Sequence, residues 1–517
     1  MTPHVSGIEP GQRRLNGVQT TARTFRNLSE PTHRVATSFD VAVAMRDGVE
    51  LLADLYRPEA DGRYPALLAF SPYPRQLQNT RIPLGVVEAG ASDFFVPRGY
   101  VHVIANARGT SGSGGTWGLL DRQERDDLFD LIEWIAIQPW CNGKVGMIGI
   151  SYYAMAQLAA AAAHPPSLKA IFPLGANESV WDVAWHHGLL VSGFLGAWLG
   201  AVGVLAAKQN NLWRGHLLAL ARKLMTTELV HTRIQHVNGE AMLTVLKDYI
   251  RSHYAEEPFG RLWQEAAIEH PTYDHYWAER DNLAALANVT IPVYLGCDWD
   301  NVVMHLPGTF TSWAALAHNP NVRMCLLPEQ GLNWPWESMH VEALAWFDHW
   351  LMGADTGVMD GPPIRYAMPG SDTWHSASTW PPPESRLVEY ALRSDGVLAV
   401  DEGAPGSRSY LRIASDAGRP RNANPPTLPD RLTWETPAAT APLELAGNFE
   451  LRLDATITAL DTAWIAVLSD VAADGTATPI TAGWLRAMLR EVDEAIAFRA
   501  RLSSGVRTRR PSRSARS

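Results

Sequence analysis

Apolar and polar residues alternate over residues 38–45, break at Asp47-Gly48, and alternate again over 49–56. Two such runs around an Asp-Gly predict a β-hairpin, because glycine supplies the positive φ that a tight turn needs. The next apolar runs do not alternate. Residues 64–70, 99–105, 144–150 and 168–174 are continuously apolar, as in strands covered on both faces. Helical spacing lies between them at 128–137, and the alanine-rich stretch 153–163 reads as helix throughout. Buried strands alternating with helices predict a parallel, doubly wound sheet.

From residue 177 the texture changes to helical segments rich in Trp, His and Leu, with no clear strand as far as 285. This reads as a helical cap inserted into the α/β domain. Strands resume at 290–295 and 322–327, followed by an amphipathic helix from Ser338 to about Met352. After Trp380-Pro-Pro-Pro-Glu384 the pattern becomes all-β. Phe449, Leu451, Leu453, Ala455 and Ile457 alternate, as do Trp464, Ala466 and Leu468, with Asp474-Gly475 as a turn. The expected divisions are therefore a polar, disordered extension (1–34), an α/β domain (35–176 and 286–372), its cap (177–285), a sandwich-type β domain (373–498) and a basic tail (499–517). The tail holds seven arginines and no alternation. It reads either as a disordered terminus or as an altered segment that leaves the β domain without its closing strands.

A length of 517 residues exceeds what one hydrophobic core usually organises, in keeping with these divisions. The net charge of -10 argues against a general role on nucleic acids or anionic membranes, which call for a basic face. The 20 tryptophans serve either as core filler or as walls of an aromatic pocket for an apolar substrate. Cys141, Cys297 and Cys325 are too few and too scattered for a disulfide framework or a metal motif, which fits a reducing compartment. The first 34 residues lack the apolar core of a secretion signal, and the longest apolar stretch, 189–207, is broken by glycines. The expected location is the cytoplasm.

The chemistry concentrates at Gly149-Ile-Ser-Tyr-Tyr153, between a buried strand and the alanine-rich helix. That context exposes a serine Oγ on a sharp turn and aims the next N–H at a developing oxyanion, so Ser151 is the candidate nucleophile. The usual second glycine is replaced by Tyr153. The glycine-rich run 109–115 lacks the Lys-Ser/Thr of a phosphate loop, and no His, Cys, Asp or Glu cluster has zinc spacing, so no cofactor is expected.

Several stretches together resemble the cocaine-esterase-like (CocE/NonD) hydrolases, relatives of X-prolyl dipeptidyl peptidases of the S15 type. They are Ser71-Pro-Tyr73, Asn106-Ala-Arg-Gly-Thr-Ser-Gly-Ser-Gly-Gly115, Glu133-Trp-Ile-Ala-Ile-Gln-Pro-Trp140, Gly149-Ile-Ser-Tyr-Tyr-Ala154, Trp346-Phe-Asp-His-Trp-Leu351 and Gly483-Trp-Leu-Arg-Ala487. The resemblance implies an α/β-hydrolase domain with an inserted helical cap, followed by a jelly-roll-like β domain. It also implies an oxyanion hole made by the Tyr73 hydroxyl and the Tyr152 N–H. The acid falls on Asp300 in Gly296-Cys-Asp-Trp-Asp300, with Asp298 as the alternative.

The base departs from the family pattern. A G-P-W-x-H sequence is expected after the last sheet strand, and residues 327–332 contain no histidine. His340, in a W-x-x-x-H-x-E arrangement, is the next candidate, whereas His349 reads as packing. His186 and His187 in the cap either line a pocket or lie on the surface. The implied activity is hydrolysis of a small-molecule carboxylic ester or amide through an acyl-serine intermediate. The alternatives are an X-Pro dipeptidyl aminopeptidase, with Glu178, Asp182 or Glu228 binding the amino terminus, an acyltransferase, or an inactive hydrolase-like binding protein. Oligomeric state is not readable from the chain.

Overall fold

The computed structural model describes residues 19–21, 23–80, 85–206, 258–332, 336–371, 373–411, 429, 431–489 and 506–507. The chain divides into two compact units, Met1–Ala377 with Phe449–Ser517, and Ser378–Asn448. The predicted hairpin is β1 (Val35–Ala44) against β2 (Glu50–Pro58), antiparallel, with a register shift between Ser38 and Val41. The continuous apolar runs become β3 (Tyr64–Ser71), β4 (Val101–Asn106), β5 (Cys141–Ile150) and β6 (Leu168–Leu174). Two short cap strands, β7 (Trp185–His186) and β8 (Leu189–Leu190), precede β9 (Val293–Asp298), β10 (Val322–Leu327), β11 (Ile364–Ala367) and β12 (Trp374–Ala377).

One sheet of ten strands results, in the order β1-β2-β4-β3-β5-β6-β9-β10-β11-β12. The strands from β4 across to β11 are parallel, and β1–β2, β2–β4 and β11–β12 are antiparallel. Leu67, Leu68, Phe70, Val103, Ile104, Ile148 and Phe172 are completely buried. Each such side chain contributes about 1.5–3 kcal/mol when removed from water, so the middle of the sheet is the rigid frame on which the loops are set. Helices α1 (Ser92–Phe95), α2 (Arg122–Ala136) and α3 (Tyr152–Ala163) belong to this unit. Asp121 caps α2 by accepting the Glu124 N–H at 2.9 Å.

The cap contributes α4 (Val180–Ala184), the β7–β8 hairpin and α5 (Ser192–Ala206), so it is not strandless. No helix among the described residues is long and apolar enough to cross a membrane. The later helices α6 (Leu306–Ala315) and α7 (His340–Phe347) return to the sheet.

The N-terminal stretch expected as a disordered extension is held in place from Gln19 onward. Thr21 Oγ1 and Arg23 Nη1 each lie 2.7 Å from the Glu342 carboxylate, and Tyr294 donates to it at 2.6 Å. Ser29 donates both its N–H and its hydroxyl to Asp348. Glu342 and Asp348 are buried, and a buried carboxylate stripped of its partners is costly, so the arm belongs to the fold. Polar anchoring of this kind leaves no periodic trace in a sequence.

In the C-terminal part, β13 (Ala391–Leu392) pairs with β14 (Leu398–Ala399) within the smaller unit. The alternation at 464–468 corresponds to β16 (Ala463–Val471), paired with β17 (Ala477–Arg486) around the expected Asp474-Gly475 turn. Of the stretch 449–457 only β15 (Leu453–Asp454) is strand, and it pairs with β18 (Val506–Arg507). The remainder of the predicted tail lies outside the described residues. Trp464 and Ala487 form a small core with Leu453, Ala455, Ile457 and Leu485. Strand β17 also meets the cap hairpin: Arg486 N–H donates to the His187 carbonyl at 3.1 Å, and Trp484 stacks on His186 with ring centroids 5.2 Å apart.

Candidate active site

Strand β5 ends at Ile150 and α3 begins at Tyr152, which leaves Ser151 alone to make the turn. Its φ of 58° and ψ of -117° lie where a residue with a Cβ is strained, a cost on the order of 1–3 kcal/mol. Two hydrogen bonds hold it there: Ser151 N–H to the Leu174 carbonyl at 3.0 Å, and Met155 N–H to the Ser151 carbonyl at 2.9 Å. Gly149 has φ 129°, and a Cβ there would fall 2.4 Å from the Cβ of Tyr153. Glycine is therefore obligatory at position 149, whereas Tyr153, wholly buried, fits where the usual pattern has a second glycine.

His305 Nε2 stands 3.2 Å from Ser151 Oγ. Its Nδ1 lies 2.7 Å from Asn177 Oδ1. An amide oxygen only accepts, so Nδ1 carries the proton and the Nε2 lone pair faces the serine hydroxyl. His305 opens α6 and is fixed through its backbone, its N–H donating to Asn301 Oδ1 at 3.0 Å and its carbonyl accepting from Thr309 N and Oγ1. Asn177, in the loop after β6, approaches α6 closely because residue 308 is glycine. A Cβ on Gly308 would lie 2.5 Å from Asn177 Nδ2 and 2.8 Å from its Cα. Burial, and secondarily the neighbouring His186, pushes the His305 pKa down to about 3, so the ring is neutral at ordinary pH. His186 is itself buried and pushed down to about 4, chiefly by desolvation.

Tyr73 follows β3 and is buried. Its hydroxyl accepts the Trp198 Nε1–H at 2.8 Å and also interacts with the Ser151 side chain. Burial first, then the charge of Glu88, holds the phenol well above its ordinary pKa, so it stays a donor. The Tyr152 N–H is the first of α3, where backbone N–H groups have no partner within the helix. The Tyr152 hydroxyl donates to Glu124 Oε2 at 2.7 Å and accepts Trp117 Nε1–H at 2.9 Å. Burial pushes Glu124 up to about 8. Trp198 stacks on Tyr152 and meets Trp117 edge-on, and Trp117 packs against Phe259, so aromatic rings wall this side of the site.

The structure thus brings together Ser151, Tyr73 and Tyr152 of the residues singled out from the sequence. His340 is placed elsewhere. It is fully buried among Phe94, Phe95 and Trp336, and its Nε2 accepts the Ala91 N–H at 3.0 Å. That lone pair is therefore already engaged. Asp300 is exposed and accepts the Gln330 N–H at 3.0 Å. Asp298 is buried and pushed up to about 6, first by desolvation and then by Asp300, and takes a backbone hydrogen bond from Leu332. In the loop after β10, where the family pattern calls for a histidine, backbone N–H groups meet both carboxylates instead. His349 bonds the Ala354 carbonyl at 3.1 Å and packs edge-on against Trp350. Glu178 accepts from Ser312 Oγ at 3.3 Å, and Glu228 lies outside the described residues.

Sequence reasoning did not single out His305 or Asn177. The available signal was positional: both lie in loops at the carboxyl ends of β6 and β9, the next two strands beyond β5 in the sheet, and Leu306-Pro307 marks a helix start directly after the histidine. No group of three or more His, Cys, Asp or Glu among the described residues could hold a metal ion.

Residues 47–337 match the family model of the X-Pro dipeptidyl-peptidase (S15 family), and 356–509 match the X-Pro dipeptidyl-peptidase C-terminal non-catalytic domain. The cocaine esterase of Rhodococcus sp. (strain MB1 Bresler) is 28% identical over 505 residues, covering 87% of this chain and 83% of the esterase. Two solved structures share the fold. A CocE/NonD family hydrolase from Staphylococcus aureus has a TM-score of 0.61 at 21% identity, covering 89% of this chain and 77% of that one. An aminopeptidase from a marine sediment archaeon, Thaumarchaeota archaeon, has a TM-score of 0.66 at 20% identity, covering 90% and 84%. The chain belongs to the X-Pro dipeptidyl-peptidase (S15) family of serine hydrolases, with an α/β-hydrolase domain followed by a β-rich C-terminal domain.

Proposed function

We propose that this protein hydrolyses small carboxylic esters through an acyl-Ser151 intermediate, with His305 as the base and Asn177 as the group that orients it. The observation that carries the reading is the His305 Nε2 to Ser151 Oγ distance of 3.2 Å, on a serine held in the strained turn of a nucleophile. As Oγ attacks the ester carbonyl, Nε2 takes its proton. The Tyr73 hydroxyl and Tyr152 N–H then donate to the oxyanion. The imidazolium returns the proton to the departing alkoxide, and water repeats the sequence to release the acid and restore Ser151.

Esters are favoured over amides by the identity of the orienting group. Asn177 fixes the tautomer, but it is neutral and offers the imidazolium a dipole rather than a charge. An amine must be protonated as it leaves, whereas an alkoxide leaves with less help, so a weakly supported imidazolium suits ester cleavage. The similarity to a cocaine esterase supports the same choice.

The test is a panel of aryl and alkyl esters beside X-Pro amides, with fluorophosphonate labelling of the serine. Ester turnover and labelling are expected in the native protein, with X-Pro amides much slower. Ser151→Ala is expected to bring both to background with the fold retained. Turnover above a tenth of the native rate in that variant would overturn the assignment.

A further inference from the structure

We infer that Trp198, on cap helix α5, is a positioning residue for the oxyanion hole. Its indole N–H fixes the Tyr73 hydroxyl so that the phenolic proton points at the developing oxyanion. This rests on the ester-hydrolase reading above.

A phenol has one proton to donate and lone pairs to accept with, whereas an indole N–H can only donate. With Trp198 Nε1 at 2.8 Å, the Tyr73 oxygen must be the acceptor in that pair. Its own proton is thereby directed away from the indole, and the phenol also interacts with the Ser151 side chain. Without the indole the hydroxyl would rotate between two orientations, only one of them aimed at the reacting carbonyl. The bond also polarises the phenol, and hydrogen bonds in a chain strengthen one another by about 10–30% each.

Trp198 is well placed to hold this geometry. Its ring stacks with Tyr152 at 6.2 Å and 28°, and with Phe194 at 6.1 Å and 15°. Trp117 meets it edge-on at 5.8 Å. Both proposed oxyanion donors thus rest on one indole, Tyr73 by a hydrogen bond and Tyr152 by ring stacking. Helix α5 belongs to the cap, and Ser111 N–H ties it to the glycine-rich loop by donating to the Ala206 carbonyl at 2.9 Å. The phenol half of the hole is consequently assembled only when this helix is docked.

The experiment is a double-mutant cycle with 4-nitrophenyl acetate, an acyl group too small to use the aromatic wall. Trp198→Phe keeps a ring and loses the donor. It is expected to lower kcat about 10-fold with KM changed less than about twofold, because orientation of a donor matters mainly in the transition state. On a Tyr73→Phe background the same substitution is expected to cost nothing further. End-point fluorophosphonate stoichiometry counts the folded, reactive sites, so kcat is expressed per competent molecule. An equal loss on both backgrounds, or an effect confined to KM, would make Trp198 a pocket wall and overturn the inference. Full kcat in Tyr73→Phe alone would instead overturn the oxyanion assignment beneath it.

Discussion

His305 differs from an ordinary surface histidine in having no carboxylate on its second nitrogen and almost no water around it. Its tautomer is set by Asn177 Oδ1, and burial together with His186 holds its pKa down to about 3. A protonated imidazole cannot accept the serine proton, so activity is lost as pH falls through the His305 pKa. Because that pKa is depressed, the ring stays neutral well below the unperturbed value of about 6.5. The acid limb of kcat/KM is therefore expected below pH 5.5, measured on a rapidly hydrolysed aryl ester. A limb centred between pH 6.5 and 7 would mean that the base is a hydrated imidazole, not this one. Stability runs in the same direction: between the depressed folded pKa and the ordinary unfolded one, the unfolded chain takes up a proton that the folded one does not. Folding is thus weakened as pH drops below about 6.5, and each assay point requires a return to neutral pH to show that the loss reverses.

At the scale of elements, the central strands were legible in the sequence because their residues are apolar on both faces, as in 64–70 and 144–150. Ser151 was legible because a buried strand runs straight into an alanine-rich helix. His305 and Asn177 were not, since they lie 128 residues apart and contribute no period to either neighbouring run. What joins them is sheet order: β5, β6 and β9 are adjacent, so the loops carrying Ser151, Asn177 and His305 open at one edge. The β7–β8 hairpin and the four-residue strands β11 and β12 escaped notice because they are too short to show alternation. Helix α6 carries the most exacting steric requirement of the site, at Gly308. Gly308→Ala places a methyl 2.5 Å from Asn177 Nδ2 and 2.8 Å from its backbone, so the loop after β6 must shift. The expected result is a fall in kcat of about 10-fold or more with KM little changed, because a small displacement of an orienting group can cost up to about 10²-fold. Unchanged kcat in a folded Gly308→Ala protein would remove Asn177 from the orienting role.

At the scale of the molecule, three regions distant in the chain converge on the catalytic edge. The sheet presents Ser151, the cap supplies Trp198 and His186, and β17 stacks Trp484 on that same His186. Residues beyond 449 therefore reach the surroundings of the site from within the unit that also holds the hydrolase sheet. The family resemblance pointed to the right fold, but its pattern for the base has no counterpart in residues 327–332. Backbone N–H groups of Gln330 and Leu332, in the loop after β10, meet Asp300 and Asp298. The departure makes the identity of the base the central claim, and comparing ester turnover in His305→Ala and His340→Ala tests it most directly. His305→Ala is expected to lower kcat by at least about 10⁴-fold, towards the roughly 10⁶-fold that loss of the general base costs in a serine hydrolase, while leaving the protein folded. His340→Ala, which opens a cavity among Phe94, Phe95 and Trp336, is expected to lower the melting temperature while keeping kcat within about 10-fold of native. Near-native turnover in folded His305→Ala, with turnover abolished in folded His340→Ala, would contradict the account.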